Sequence, residues 1–289
     1  LPLVTVRLPE SVERLFLRPQ GCFAATPRSV YFVDRQVFET GVAADGEALL
    51  SLGLAEEGVL PSHPMPQLVT KFSRDFWVTI DPAGRWMATA TQSADRESNL
   101  LRIFHLTPLQ SLPPIVRPPG QIFQLLALDS RHFATFAHGV DDQTGACITG
   151  TSIEVFTRRG KSVGSLQLSL PLRDVVGTPI PYRLAAMEPG HPNTMVVLDL
   201  KPLRILRIGV DIVPILLTAT AWGYVLVAES GEIVLIDQSG QRLGRIHGPP
   251  SPTAIASPTP YHLLIATWKD GQGSLQTIDL RQINLDLVF

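Results

Sequence analysis

Over residues 76–106 the apolar positions fall into three short runs separated by two polar ones. Phe76-Trp77-Val78-Thr79-Ile80 is aromatic and β-branched, a composition that suits a pleated, half-buried surface better than a helix. It stops at Asp81-Pro82-Ala83-Gly84, where proline presets φ at the second position of a turn and glycine suits the fourth. Residues 85–91 form the second run, 92–99 a polar interval, and 100–106 a third run that is apolar on nearly both faces. Such a strand is covered on both sides, so the unit belongs inside a packed sheet and cannot stand alone.

Weaker copies of this unit fill the chain. Residues 3–8 alternate as a strand with no local partner; residues 12–17, the turn Pro19-Gln20-Gly21, and residues 22–26 and 29–34 then repeat the plan. The pattern lapses over 40–68, where an Ala/Leu/Glu-rich stretch runs into Pro61, Pro64 and Pro66, and this segment reads as a long excursion between units. Pro108, Pro113, Pro114, Pro118 and Pro119 make a connector too proline-rich for a central strand. Further trios fall at 122–128, 133–137 and 152–156; at 182–187, 194–200 and 203–208; at 212–217, 224–228 and 232–237; and at 253–256, 262–267 and 274–279. A second polar excursion occupies 139–150, residues 163–170 and 242–247 add outer strands, and 283–289 form a last apolar run. Turns at Gly21, Gly84, Ser130, Gly190, Trp222 and Pro260 recur at about the 40–50 residues of a four-stranded propeller blade. The expected fold is therefore all-β. It is a single β-propeller domain over 1–289 with six or seven four-stranded blades, seven if residues 36–75 hold a degenerate one. The strand at 3–8 is expected to close it by joining the last blade.

These residues resemble the WD-repeat propeller family. Asp81-Pro82-Ala83-Gly84-Arg85-Trp86-Met87-Ala88-Thr89-Ala90 is similar to the family's turn between its first two strands and the strand that follows. Val33-Asp34, Ile236-Asp237 and Ile278-Asp279 stand where the family has its Trp-Asp pair, and Asp95 can take the place of its turn aspartate. The one Gly-His dipeptide, Gly190-His191, falls in a mid-blade turn and not ahead of a blade's first strand, a departure from the family pattern. The resemblance implies an assembly platform with other protein subunits as partners.

Composition adds mainly exclusions. With 24 basic and 26 acidic residues and a net charge of −2, no global field recruits nucleic acid. The two cysteines, Cys22 and Cys147, lack CxxC spacing, so they make neither a zinc site nor a disulfide framework. The longest apolar stretch, 205–221, carries Arg207, Asp211 and Pro214 and reads as strands, so no stable membrane insertion is expected, and the location is expected to be cytoplasmic.

Candidate chemistry is thin. His138-Gly139-Val140-Asp141-Asp142 places an imidazole near two carboxylates but lacks a second spaced ligand set, and reads as a solvated loop. His105 and His262 fall on or beside strands as structural histidines, and Trp77, Trp86, Trp222 and Trp268 as packing residues. No nucleophile elbow, Walker loop or dinucleotide fingerprint is present, so no catalytic residue, metal ligand or cofactor is assigned. Phe156-Thr157-Arg158-Arg159-Gly160-Lys161 resembles the Phe-Arg-Arg-Gly signature of phosphoinositide-binding propellers, with a threonine inserted. It marks Arg158, Arg159 and Lys161 as lipid or anion candidates for peripheral membrane contact. At about 1 kcal/mol each, these three charges give roughly 3 kcal/mol, weaker than a millimolar affinity. The expected function is a non-catalytic scaffold that contacts partners through the excursions 40–68 and 139–150. The alternatives are a metal-dependent hydrolase or lactonase of the propeller type and a phosphoinositide-binding propeller.

Overall fold

The computed structural model describes residues 5–8, 10–35, 67–71, 76–92, 99–106, 109–113, 115–117, 122–140, 147–269 and 272–282. Within them the chain forms antiparallel sheets in sequence order. A lone first strand, β1 (Thr5–Leu8), precedes the first sheet of β2 (Arg14–Arg18), β3 (Gly21–Ala25), β4 (Ser29–Asp34) and β5 (Gln67–Lys71). The second sheet holds β6 (Phe76–Ile80), β7 (Trp86–Gln92) and β8 (Asn99–Leu106), with β9 (Leu109–Ser111) and β10 (Ile115–Arg117) both paired to β8. The third contains β11 (Ile122–Ala127), β12 (His132–Val140), β13 (Cys147–Thr157) and β14 (Ser162–Leu168). The fourth contains β15 (Arg173–Gly177), β16 (Arg183–Met187), β17 (Thr194–Leu200) and β18 (Leu203–Gly209). The fifth is β19 (Pro214–Ala219), β20 (Gly223–Ala228), β21 (Glu232–Asp237) and β22 (Arg242–His247); the sixth is β23 (Pro252–Thr259), β24 (His262–Lys269) and β25 (Gln272–Asp279).

The strand expected at 3–8 joins the last sheet, as the sequence led one to expect. β1 pairs antiparallel with β25, Thr5 opposite Gln276 and Leu8 opposite Gly273, so the first strand of the chain is the fourth of the last sheet.

Several expectations about particular segments are corrected. The excursion 40–68 does not connect one sheet to the next: residues 67–68 belong to β5, which pairs with β4 of the first sheet, and residues 40–66 lie outside the described residues. The proline-rich connector supplies no central strand, as expected; two short proline-free pieces of it, β9 and β10, pair with the outer edge of β8. The fourth trio is the second, third and fourth strands of its sheet; β15 comes first, so the turn equivalent to Gly84 is at 180–182 and not at Gly190. β12 and β13 run on into 139–150, with Val140 opposite Cys147 across a bulge, and leave a shorter connection. Asp95, Asp141 and Asp142 lie outside the described residues.

The turn between the first two strands repeats one device. A side-chain oxygen at its start accepts main-chain N–H groups that the turn would otherwise leave unpaired. Asp81 Oδ1 accepts from Arg85 and Trp86, and Asp129 Oδ1 from Arg131 and His132. Thr178, Thr220 and Thr259 hydroxyls do the same for Ile180, Gly223 and Tyr261. At the other end, Val33-Asp34, Ile236-Asp237 and Ile278-Asp279 close the third strands of their sheets, as the resemblance implied.

The chain divides into two compact units. One comprises Leu1–Ser73 and Asp211–Phe289, the other Arg74–Val210. In the first, Cys22, Ala24, Tyr31 and Val33 pack with Leu8, Leu264, Ala266 and Leu275, while Val225, Val227, Ile233 and Leu235 pack with Leu263 and Ile265. In the second, Trp86, Leu101 and Ile103 pack with Leu125, Phe133 and Phe156, and Phe136 and Ile153 with Leu184 and Leu198. Middle strands are therefore covered on both faces, β20 along its whole length. Two tryptophans tie neighbouring sheets at equivalent places: Trp86 Nε1–H donates to the Ser130 carbonyl at 3.0 Å, and Trp222 Nε1–H to the Pro260 carbonyl at 2.6 Å.

Candidate interaction surfaces

The cations that the sequence singled out occupy the hairpin between β13 and β14. Thr157 N–H donates to the Lys161 carbonyl at 2.8 Å, and the Thr157 hydroxyl accepts from the N–H groups of Arg159 and Lys161. The threonine that interrupts the lipid-binding signature is thus the acceptor that shapes the turn. Gly160, at φ +84°, lies so close to the second sheet that a Cβ there would meet Ile115 Cδ1 at 2.1 Å. The hairpin tip is docked, with Arg159 and Lys161 exposed and Arg158 half-buried.

The structure adds a fourth cation that sequence spacing did not suggest. Arg158 N–H donates to the Arg131 carbonyl at 2.7 Å, so the β11–β12 turn lies beside the hairpin. None of Arg131, Arg158, Arg159 and Lys161 forms a salt bridge among the described residues.

Two of the histidines make local contacts. The His138 ring packs on Phe123 with centroids 4.9 Å apart, and His262 Nδ1 lies 2.7 Å from the Thr259 hydroxyl. Among the described residues, no three His, Cys, Asp or Glu side chains converge. Cys22 is fully buried, and burial pushes its thiol up to about 12, so it stays protonated and inert near neutral pH.

A different surface emerges on the fourth sheet. β18, its outer strand, exposes Leu203, Ile205 and Leu206, each between 44% and 50% accessible, and Tyr182 stands exposed on the neighbouring turn. Both carboxylates beside them are engaged. Arg183 makes a two-point fork with Asp199 at 2.7 and 3.1 Å, and Arg207 makes one with the buried Glu188 at the same distances. The hydrogen bonds from these guanidinium groups hold the Glu188 and Asp199 carboxyls below their ordinary range. Sequence reading missed this surface, because Leu203-Arg204-Ile205-Leu206-Arg207-Ile208 has the pattern of a strand covered on both faces. Only its fourth place in the sheet leaves it open.

No protein-family model matches the chain, and no curated protein matches its sequence. Solved structures do match its fold. Hydrazine synthase from Kuenenia stuttgartiensis superposes with a TM-score of 0.59 at 12% identity, over 93% of this chain and 83% of that one. The Pan2 WD40 domain of Neurospora crassa gives 0.53 at 10% identity, over 93% and 76%. The fold is propeller-like. U3-55K gives 0.51 at 14% identity, over 90% of this chain and 75% of that one, and at such identities the likeness concerns architecture alone. Among the described residues no helix is long and apolar enough to cross a membrane.

Proposed function

We propose that this chain is a non-catalytic propeller that holds protein subunits together. In this reading each four-stranded sheet among the described residues acts as a blade, with β1 completing the last of them. The observation that carries the reading is the outer strand β18, which leaves Leu203, Ile205 and Leu206 open to water beside the buried middle strands of its sheet. Leu203 and Ile205 share one face of the strand and Leu206 lies on the other, so the strand presents apolar groups on both sides, of the kind another protein covers. The lack of any catalytic motif in the sequence supports it, and the WD40 domain among the structural neighbours is consistent with the architecture it needs. The sequence excursions at 40–68 and 139–150 would extend the same role, although residues 40–66 and 141–146 fall outside the described residues. The test is affinity purification of the tagged chain from its native source. A partner recovered in stoichiometric amount is expected, and a chain recovered alone that turns over a small molecule would overturn the reading.

A second reading, contact with an anionic membrane surface, is favoured by Arg131 beside Arg158, Arg159 and Lys161. Four charges at about 1 kcal/mol each reach roughly millimolar affinity, enough to assist a protein contact and too weak to anchor the chain alone. Sedimentation with phosphatidylserine vesicles tests it: binding is expected to fall when Arg158 and Arg159 are both changed to alanine, and binding that survives the change rejects the site.

A further inference from the structure

We propose that the free edge of β18 receives an extended, acidic and aliphatic segment of a partner protein as a fifth strand of the fourth sheet. The proposal rests on the scaffold reading above and names the place and chemistry of one contact.

The ladder itself fixes what the edge offers. On one side, Leu200 N–H donates to the Tyr182 carbonyl at 2.8 Å, so the main-chain groups of Leu200 face β16 and those of Asp199 face β18. On the other side, Val210 N–H donates to the Asn193 carbonyl at 2.8 Å, just beyond the pair Thr194–Gly209. Hydrogen bonding alternates along an antiparallel pair, and β17 and β18 pair without a bulge. Both observations therefore give one phase. Arg204, Leu206 and Ile208 bond inward to β17, and the N–H and C=O groups of Leu203, Ile205, Arg207 and Gly209 point away from the sheet. β18 pairs with β17 alone among the described residues. The result is a straight edge of seven residues, roughly 23 Å long, that can take another strand in register.

The other outer strands with described side chains are managed differently. On β22, Arg242 and Arg245 are held by Asp211 and Glu232, a charged edge of the kind that discourages pairing. β14 is mostly serine, glycine and glutamine, and the outer edge of β8 is already covered by β9 and β10. β18 alone of these exposes three large aliphatic side chains.

Charge selects the occupant. Asp199 and Glu188 are taken by Arg183 and Arg207, while Arg204 and Lys201 make no salt bridge among the described residues. The edge thus has surplus positive charge beside aliphatic groups. A second β18 laid antiparallel on the first would place Lys201 and Arg204 of both copies on one short ribbon, where like charges repel. Glutamate or aspartate alternating with valine, isoleucine or leucine meets both features.

The test uses the full chain, isotopically labelled, with two seven-residue probes: alternating glutamate and valine, and alternating lysine and valine. In the free chain the amides of Leu203, Ile205, Arg207 and Gly209 are expected to exchange with solvent faster than those of Arg204, Leu206 and Ile208. The glutamate–valine peptide should slow the first set at least tenfold, and the lysine–valine peptide should not. Ile205→Pro removes an N–H that faces away from the sheet, so it should leave the ladder intact and weaken the peptide at least tenfold. Arg204→Glu, which touches no main-chain bond, should weaken it about two- to fivefold and keeps the test valid if the proline variant does not fold. Equal protection by both peptides, no protection by either, or binding unchanged in both variants overturns the proposal. So does a concentration-dependent dimer abolished by Ile205→Pro, since the occupant is then a second copy. Native partners retained by the Ile205→Pro chain reject this edge and leave the scaffold reading standing. Peptide binding as described, without a native partner, does the reverse.

Discussion

Asp81 shows how much of this fold rests on single polar atoms. Its carboxylate is fully buried, and one oxygen accepts the N–H groups of Arg85 and Trp86. Asp81→Ala leaves both donors without a partner inside the protein and should cost about 2–3 kcal/mol in urea denaturation, with Asp81→Asn, which keeps an acceptor, costing less. Trp86→Phe should cost about 1–2 kcal/mol, because it removes the bond to Ser130 from a buried indole, and Trp222→Phe less, because that indole is partly exposed. Gly223 is a matter of space: a Cβ there would lie 2.0 Å from the Ile236 carbonyl oxygen and 2.7 Å from Asp237 Cα. Gly223→Ala should therefore destabilise by about 1–3 kcal/mol, whereas Gly209→Ala, which meets open space, should stay within about 0.5 kcal/mol. At this scale the sequence was informative where chemistry is local. Asp81-Pro82-Ala83-Gly84 could be read as a turn, yet Thr178, Thr220 and Thr259 doing the same work could not, since threonine is common in strands.

At the level of elements, strands with local partners were visible and strands with distant ones were not. β6, β7 and β8 stand out by pattern because each pairs with its sequence neighbour. β5 is five residues whose partner lies across the long excursion, and β15 begins with two charged residues, so neither shows a clean period. The placement of β18 at an edge, and with it the candidate surface, is a property of sheet order that no period of two can reveal. The carboxylates of the fourth, fifth and sixth sheets give a pH dependence. Hydrogen bonds from Arg207, Arg183, Ser239 and Arg281 hold Glu188, Asp199, Asp237 and Asp279 below their usual values, Asp279 at about 2. A group whose folded pKa is depressed stabilises the protein above its unfolded value, about 3.9 for Asp and 4.3 for Glu, and loses that contribution as pH falls toward the folded one. The melting temperature should accordingly hold down to about pH 4.5 and fall between about pH 4 and 2. Glu188→Gln should make that fall shallower, which scanning calorimetry across the range would show.

For the whole molecule, the pairing that spans the chain is that of β1. Its pairing with β25 joins the start of the chain to the last sheet, and Leu8 is buried in the same cluster as Leu264 and Leu275. Deleting residues 1–8 should lower stability by several kcal/mol, since it leaves the edge of β25 unpaired and uncovers that cluster. Calorimetry on the truncated chain would show a lower and broader transition. If that deletion left the melting temperature unchanged, β1 would have no part in closing the fold. The central claim, that this propeller works by holding other proteins, is tested most directly by native mass spectrometry of the assembly isolated from its own source. The account predicts a particle that contains this chain together with whole partner subunits in fixed ratio. A particle that holds a single copy of this protein and no other subunit would contradict it.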